Sequence, residues 1–319
     1  MIMRLFGVSP LQTDLIGHYP DLAGLRRSAK SNAWSQVAAH FEQLPVRSDQ
    51  SVAVRVVAET PGSERFLEQV VNSERNSSLA RTLLGARFIV MAWEARGRTF
   101  AKDVDPSQWQ FFFGYLERAE RLLAEATAMD PTNAAAWTER VILARGLELG
   151  LDEGRHRYEQ AAEHCDAPYT AQRQLLQNLC PKWGGSVDEL HAFARDCLKC
   201  APPGSLAGAV VANAHVEHAL DIMMAEGALA AEEYIGQREV RDEIAAAAAH
   251  TVLHPEHRPW HGWVSAHSVF AFALVTGGDP RAVPHFEALG SRVCPYPWEQ
   301  VYRRWKAAFR RLGNHRRPL

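Results

Sequence analysis

Apolar residues recur along this 319-residue chain at intervals of three and four, and almost nowhere at intervals of two. The first spacing places side chains on one stripe of a helix; the second would place them on one face of a strand. The pattern therefore restricts the chain to an all-α fold. The one rival segment is Ser51-Val-Ala-Val-Arg-Val-Val-Ala, whose β-branched content suits a strand. Asp49 ahead of it is a good helix cap and the segments on both sides read as helices, so it too is assigned as helix.

Breakers and caps divide the pattern regularly. Asp21 caps a short helix ending near Lys30, and Asn32 caps a second one carrying Trp34, Val37, Phe41 and Leu44 up to Pro45. Helices are expected near 63–75, 77–96, 106–129, 133–149, 153–164, 169–179, 186–200, 205–226, 229–252, 262–276, 280–290 and 297–312. Between them stand Asp130-Pro131, Pro181 with Gly184-Gly185, Pro202-Pro203-Gly204 and Gly277-Gly278-Asp279-Pro280. Linkers this short make successive helices antiparallel neighbours.

A degenerate repeat runs through the second helix of several pairs. Small and large residues occur at offsets 0, 4 and 7, with proline near 12: Ala119, Leu123, Ala126 and Pro131; then Gly154, Tyr158, Ala161 and Pro168. Leu190, Ala194, Cys197 and Pro202 follow with the sizes permuted, and Ala282, Phe286, Leu289 and Pro295 come later. A spacing of ~34 residues, small side chains at close approaches and a closing proline resemble the tetratricopeptide-like repeat. Trp137 stands where that repeat places its first-helix tryptophan. The segments Phe88-Ile-Val-Met-Ala-Trp-Glu-Ala-Arg-Gly, Ala128-Met-Asp-Pro-Thr-Asn-Ala-Ala-Ala-Trp, Pro181-Lys-Trp-Gly-Gly-Ser and Ala214-His-Val-Glu-His resemble a group of uncharacterised actinobacterial helical-repeat proteins. The resemblance implies a tetratricopeptide-like α-solenoid, antiparallel helix pairs stacked in a right-handed superhelix, and brings no activity with it. It also implies a concave face, made by the first helix of each pair, that takes a peptide or protein segment.

Composition narrows the function classes. A net charge of −2 supplies no general attraction to nucleic acid or anionic membrane. No window has the ~18–20 uncharged apolar residues of a membrane span, and the Met1-Ile-Met-Arg-Leu-Phe-Gly start lacks the apolar run and cleavage site of a secretory signal. Five cysteines, an odd number spread over a long chain, argue against a disulfide framework and for a reducing compartment, so the expected location is cytoplasmic.

Catalytic and nucleotide signatures are missing: there is no Gly-x-x-x-x-Gly-Lys, Gly-x-Gly-x-x-Gly, Gly-x-Ser-x-Gly or His-Glu-x-x-His. No cofactor is expected. The sharpest local feature is His254, His257 and His261 within eight residues, a candidate metal site, although Pro255 and Pro259 make this a turn whose histidines more often bond backbone. His215 and His218, three apart on one helix face, could both reach one ion. Cys197-Leu-Lys-Cys200 is a lone pair without a partner pair at zinc-finger spacing, and packing as small apolar residues is the expectation.

Polar residues inside otherwise apolar first helices are the candidates for ligand contact: Trp93 and Glu94, Trp137, Arg140 and Arg145, His215 and Glu217, and His267. Each charge, if buried, either pairs between helices or lines the groove. Arg140 shares a helix face with Trp137, and a groove-facing guanidinium would suit a carboxylate. Lys182 and Trp183 add a cation and an aromatic on the turn before Gly184.

The expected organisation is one helical-repeat domain over 1–319. Residues 1–20 form an N-terminal segment, docked or flexible, and 297–319 form an amphipathic basic capping helix and tail, with Arg303, Arg304, Lys306, Arg310 and Arg311 on one face. The leading expectation for function is a non-enzymatic scaffold for a peptide or protein. The rivals are an enzyme or small-molecule binder with a pocket in the concave face, and a metalloprotein built on the His254 cluster.

Overall fold

The computed structural model describes residues 10–97 and 103–314. Among them are eighteen α-helices and no strand; the only extended pairing is an isolated bridge between Gln12 and Arg292. In chain order the helices are α1 (Leu15–His18), α2 (Ala23–Lys30), α3 (Trp34–Glu42), α4 (Ser51–Ala58), α5 (Ser63–Ser73) and α6 (Ser78–Arg96). Then come α7 (Pro106–Met129), α8 (Ala134–Gly146), α9 (Leu151–Glu163), α10 (Tyr169–Asn178), α11 (Val187–Cys200) and α12 (Gly208–Glu226). The last are α13 (Ala228–Ile235), α14 (Arg238–His250), α15 (Trp263–Thr276), α16 (Val283–Leu289), α17 (Trp298–Val301) and α18 (Trp305–Asn314).

Local chemistry sets several of the boundaries. Ser77, Asn133 and Ser186 accept a backbone N–H of the first turn of α6, α8 and α11, and Asp105 with Gln108 forms a reciprocal capping box on α7. Segment 51–58 is helical, with Asp49 accepting the Ser51 N–H. Four expectations need correction. Asp21 does not cap α2, which starts after Leu22 without a side-chain cap; its carboxylate takes His261 instead. Asn32 is no cap: it adopts a left-handed conformation, and α3 starts from Ala33. The helix expected over 229–252 breaks at Gly236-Gln237. Ile235 and Val240 are both buried, yet five residues of continuous helix would set them about 140° apart. The C-terminal helix is likewise two pieces, because Trp298 is wholly buried and Tyr302 is extended before α18 turns Ala308 and Phe309 inward. Phe309 meets Phe286 and Trp298 at ring distances of 5.3 and 5.2 Å, while Arg303, Arg304, Lys306 and Arg311 remain exposed.

The helices form two rows. Each of α4, α6, α8, α10, α12 and α15 touches the next in that series, and each except α4 also packs against the helix or helices between. This inner row is buried on nearly every side: α12 is buried from Gly208 to Glu217, and α15 from Val264 to Val275 except Ser265. Most of the non-proline repeat positions are buried, among them Ala119, Leu123, Ala126, Leu190, Ala194 and Leu289, while Tyr158 is half-buried. Glycines sit where rows come closest. A Cβ on Gly85 would lie 2.7 Å from Leu123 Cγ, and one on Gly208 2.5 Å from the Ala247 carbonyl.

Residues 12–21 meet residues 260–293. The Gln12 N–H donates to the Ser291 carbonyl (2.8 Å) and the Val293 N–H to Gln12 (3.0 Å). The Gly262 N–H donates to the Tyr19 hydroxyl (2.9 Å), His261 Nε2 pairs with Asp21 (2.8 Å), and Trp260 Nε1 donates to the Asp49 carbonyl (3.0 Å). Asp49 also accepts the Thr170 N–H (2.9 Å) at the start of α10. The N-terminal segment is therefore docked from residue 10 onward; residues 1–9 of the expected segment lie outside the described residues.

Candidate functional site

Polar side chains converge on the inner face where α6, α8, α10 and α12 approach the segment 291–297. On α10, Tyr169, Arg173 and Gln177 recur every fourth position and so share one stripe. On α12, Asn213 and Glu217 do the same. Trp93 comes from the last turn of α6 and Arg145 from the last turn of α8. Lys182 and Trp183 follow α10, and Tyr296 comes from the segment that forms the seam.

Glu217, only 4% exposed, is wrapped by donors: Lys182 Nζ at 2.7 Å, the Tyr296 hydroxyl at 2.6 Å, Cys180 Sγ at 3.7 Å, and the Gln177 side-chain amide. Burial alone would raise its pKa, but the Lys182 charge and the hydrogen bonds outweigh it and hold the carboxyl below the usual range. A carboxylate with its lone pairs so fully engaged is an anchor, not a free base.

Arg145 is the opposite case. Its guanidinium lies 5.8 Å from the Trp93 ring centre and 5.7 Å from that of Trp183. Its hydrogen bonds are long: 3.5 Å to the Gln174 carbonyl, 3.4 Å to Asn178 Oδ1 and 3.2 Å to Gln174 Oε1. Among the described residues no carboxylate lies within 4.0 Å of it. Burial pushes its pKa down to about 10, which leaves it charged at neutral pH. Arg173 stands over Tyr169 at 5.6 Å, beside Tyr19, Cys294 and Tyr296, and likewise makes no ion pair among the described residues. The buried Tyr169 hydroxyl lies near Asn213 and Ser265 without hydrogen-bond geometry to either.

Glu139 on α8 is 4% exposed and makes no hydrogen bond or ion pair among the described residues. Burial pushes its pKa up to about 7, with Arg55 opposing and Asp49 reinforcing.

Of the sequence candidates, Trp93, Arg145, Lys182, Trp183 and Glu217 are thus brought together. The others are not. Arg140 and Trp137 share a face, as their spacing requires, but it points towards α7 and α9. Arg140 pairs with Glu120 (3.1 Å) and Thr127 (3.0 Å) above the Trp137 ring, and Trp137 donates to the Pro131 carbonyl (2.9 Å) and packs on Ala161 and Ala171. Glu94 is exposed and lies 3.9 Å from Arg87. His267 is buried against His285, Nδ1 to Nδ1 at 3.0 Å, with burial pushing the two rings down to about 4 and about 3. His215 turns towards α13 and α14, with Nδ1 at 2.7 Å from the Tyr234 hydroxyl and Nε2 at 3.1 Å from Glu243.

The turn histidines disperse. His254 accepts the Glu256 N–H, His257 meets the Gly204 carbonyl at 2.6 Å, and His261 takes Asp21. Among the described residues no three His, Cys, Asp or Glu side chains are grouped to hold a metal. Cys197 is buried, its thiol pushed up to about 12, and Cys200 is exposed; both are free thiols. Sequence reasoning missed Tyr169, Arg173, Gln177, Cys294, Tyr296 and Glu139. The four-residue spacing on α10 was a usable signal, whereas Tyr296 lies in a connecting segment without periodicity.

Compared with protein-family models, with curated proteins and with solved structures, the chain matches none. No helix among the described residues is long and apolar enough to cross a membrane.

Proposed function

We propose that this chain is a tetratricopeptide-like helical-repeat protein that binds a small oxyanion-bearing ligand, a carboxylate or phosphate, on its inner face. The alternation of an inner and an outer row, with small residues at the close approaches, supports the repeat assignment. The observation that carries the ligand is Arg145: a guanidinium between two indoles with long hydrogen bonds and no carboxylate partner among the described residues. Glu217 does not use up that charge, since Lys182 already neutralises it. Guanidinium presents paired N–H groups that match an oxyanion, and Trp93 and Trp183 offer apolar faces to the remainder of the ligand. Arg173 adds a second unpaired cation on the same stripe of α10 as Gln177.

An extended peptide, the partner expected from the repeat alone, needs a groove open along its length. The meeting of the Gln12–Asp21 region with residues 260–262 and 291–293 supports a bounded site and hence a small ligand.

The test is a panel of small carboxylates and phosphates screened by thermal shift, with calorimetry on any hit. At least one should bind, and Arg145→Met should weaken it by ~1.5–3 kcal/mol, roughly ten- to a hundredfold. Binding confined to neutral or cationic compounds, or unchanged in Arg145→Met, would refute the assignment.

A further inference from the structure

We infer that His191, His218 and Tyr234 form a binding site for one divalent transition-metal ion, separate from the inner-face site and lying where α11, α12 and α13 meet. His191 Nε2 stands 3.1 Å from His218 Nδ1 and 3.4 Å from the Tyr234 hydroxyl oxygen. Two ligands on a tetrahedral zinc with ~2.0–2.1 Å bonds stand ~3.3 Å apart, so both separations are already those of a coordination edge. The rings crowd together as ligands do, with centres 5.3 Å apart for His191 and His218 and 4.3 Å for His218 and Tyr234. All three side chains are half-buried, so an ion has access from solvent.

The groups behind these three hold the Tyr234 hydroxyl in place. His215 Nε2–H donates to Glu243 Oε2 (3.1 Å), and Glu243 is held in turn by both arms of Arg195, at 2.7 and 3.1 Å. That tautomer leaves His215 Nδ1 to accept the Tyr234 hydroxyl at 2.7 Å. When the ion binds, the Tyr234 O–H bond breaks and its proton goes to His215 Nδ1, the proton shared between His191 Nε2 and His218 Nδ1 passes to the other nitrogen of its ring, and the phenolate oxygen joins the two freed imidazole nitrogens on the metal. The imidazolium so formed is paired with Glu243, and nothing is oxidised or reduced. Asp221, near His218, adds negative potential at the site. Imidazole and phenolate donors suit zinc and copper rather than calcium or magnesium.

The experiment uses the full chain stripped of metal with a chelator and titrated with Zn²⁺ by calorimetry and with Cu²⁺ by visible absorption. One ion per chain is expected, with a phenolate-to-copper charge-transfer band. Tyr234→Phe should abolish the band, and both it and His218→Gln should weaken zinc binding by roughly tenfold or more. His257→Asn, on the distant turn, should leave binding unchanged. Zinc binding that survives either Tyr234→Phe or His218→Gln overturns the site, as does wild-type protein that takes up no stoichiometric ion. Should a variant fail the circular-dichroism check on its fold, the wild-type stoichiometry and charge-transfer band decide the matter alone.

Discussion

Arg140 and Arg145 lie five residues apart on α8 and have opposite surroundings. On the side facing α7 and α9, Arg140 and Arg157 share Glu120. Arg157, 3% exposed, takes Glu120 at 2.7 and 2.8 Å, Glu153 at 2.6 Å and the Arg140 carbonyl at 3.0 Å. On the inner face, Arg145 and Arg173 have indoles and phenols for neighbours and no carboxylate within 4.0 Å among the described residues; Glu217, already held by Lys182, acts on Arg145 from further off. The same side chain is an internal strut in one place and an unspent charge in the other. What separates them is the partner, because a buried guanidinium holds the fold together only when a carboxylate is buried with it.

The sharpest way to break this contrast is to remove a strut. Arg157→Ala removes a buried guanidinium and its bonds to Glu153, to the Arg140 carbonyl and to Glu120, which keeps only Arg140, and should destabilise the fold by ~3 kcal/mol, read from chemical denaturation. A loss below about 1 kcal/mol would mean that the network is ornamental.

Next in size is Glu139, the anionic counterpart of the unpaired arginines. Its folded pKa of about 7 lies above the unfolded carboxylate value, so between those values the folded state binds more protons than the unfolded one. Stability should therefore fall as pH rises from roughly 4.5 to 7 and level off above that. Glu139→Gln should remove this dependence and stabilise the protein at pH 8 by on the order of 2 kcal/mol, measured by denaturation at both ends of the range. An unchanged pH profile would place the carboxyl in contact with water.

The smallest expected effect is the most discriminating. Arg145→Met, the variant that should cost binding, should shift stability by no more than ~0.5 kcal/mol, since no ion pair is broken. A large drop in melting temperature would put Arg145 in the same class as Arg157.

The contrast also explains how far the sequence could be read. Helices follow from neighbours a few residues away, so the helix near 106–129 and the periodicity of α6 to α12 were legible. Facing is a different matter. Spacing placed Trp137 and Arg140 on one stripe, which they occupy, but which stripe faces inward depends on Ala161, Ala171 and Glu120 in other helices. Glu217 was legible as a polar intrusion in an apolar helix; its wrapping by Lys182, Gln177 and Tyr296 was not, because those donors come from 35, 40 and 79 positions away. The 229–252 helix failed for the same reason: the local spacing runs through Gly236, and burial of both Ile235 and Val240 decided against continuity.

The seam has a consequence for the newly made chain. The hydrogen bonds of His18 reach Val293, 275 positions later. At ~5–20 residues per second, a ribosome delivers that partner roughly 15–55 s after His18 itself has been made. Helix pairs such as α6 with α7 need only their own neighbours and fold as they emerge, in far less than a second. Throughout that interval the nascent protein is an unfastened arc, with the backbone groups of Gln12 and the hydroxyl of Tyr19 waiting for their partners. Fastening comes last, and Tyr296 is delivered to Glu217 by the same late segment. Closing the seam and completing the proposed binding site thus depend on the same late segment.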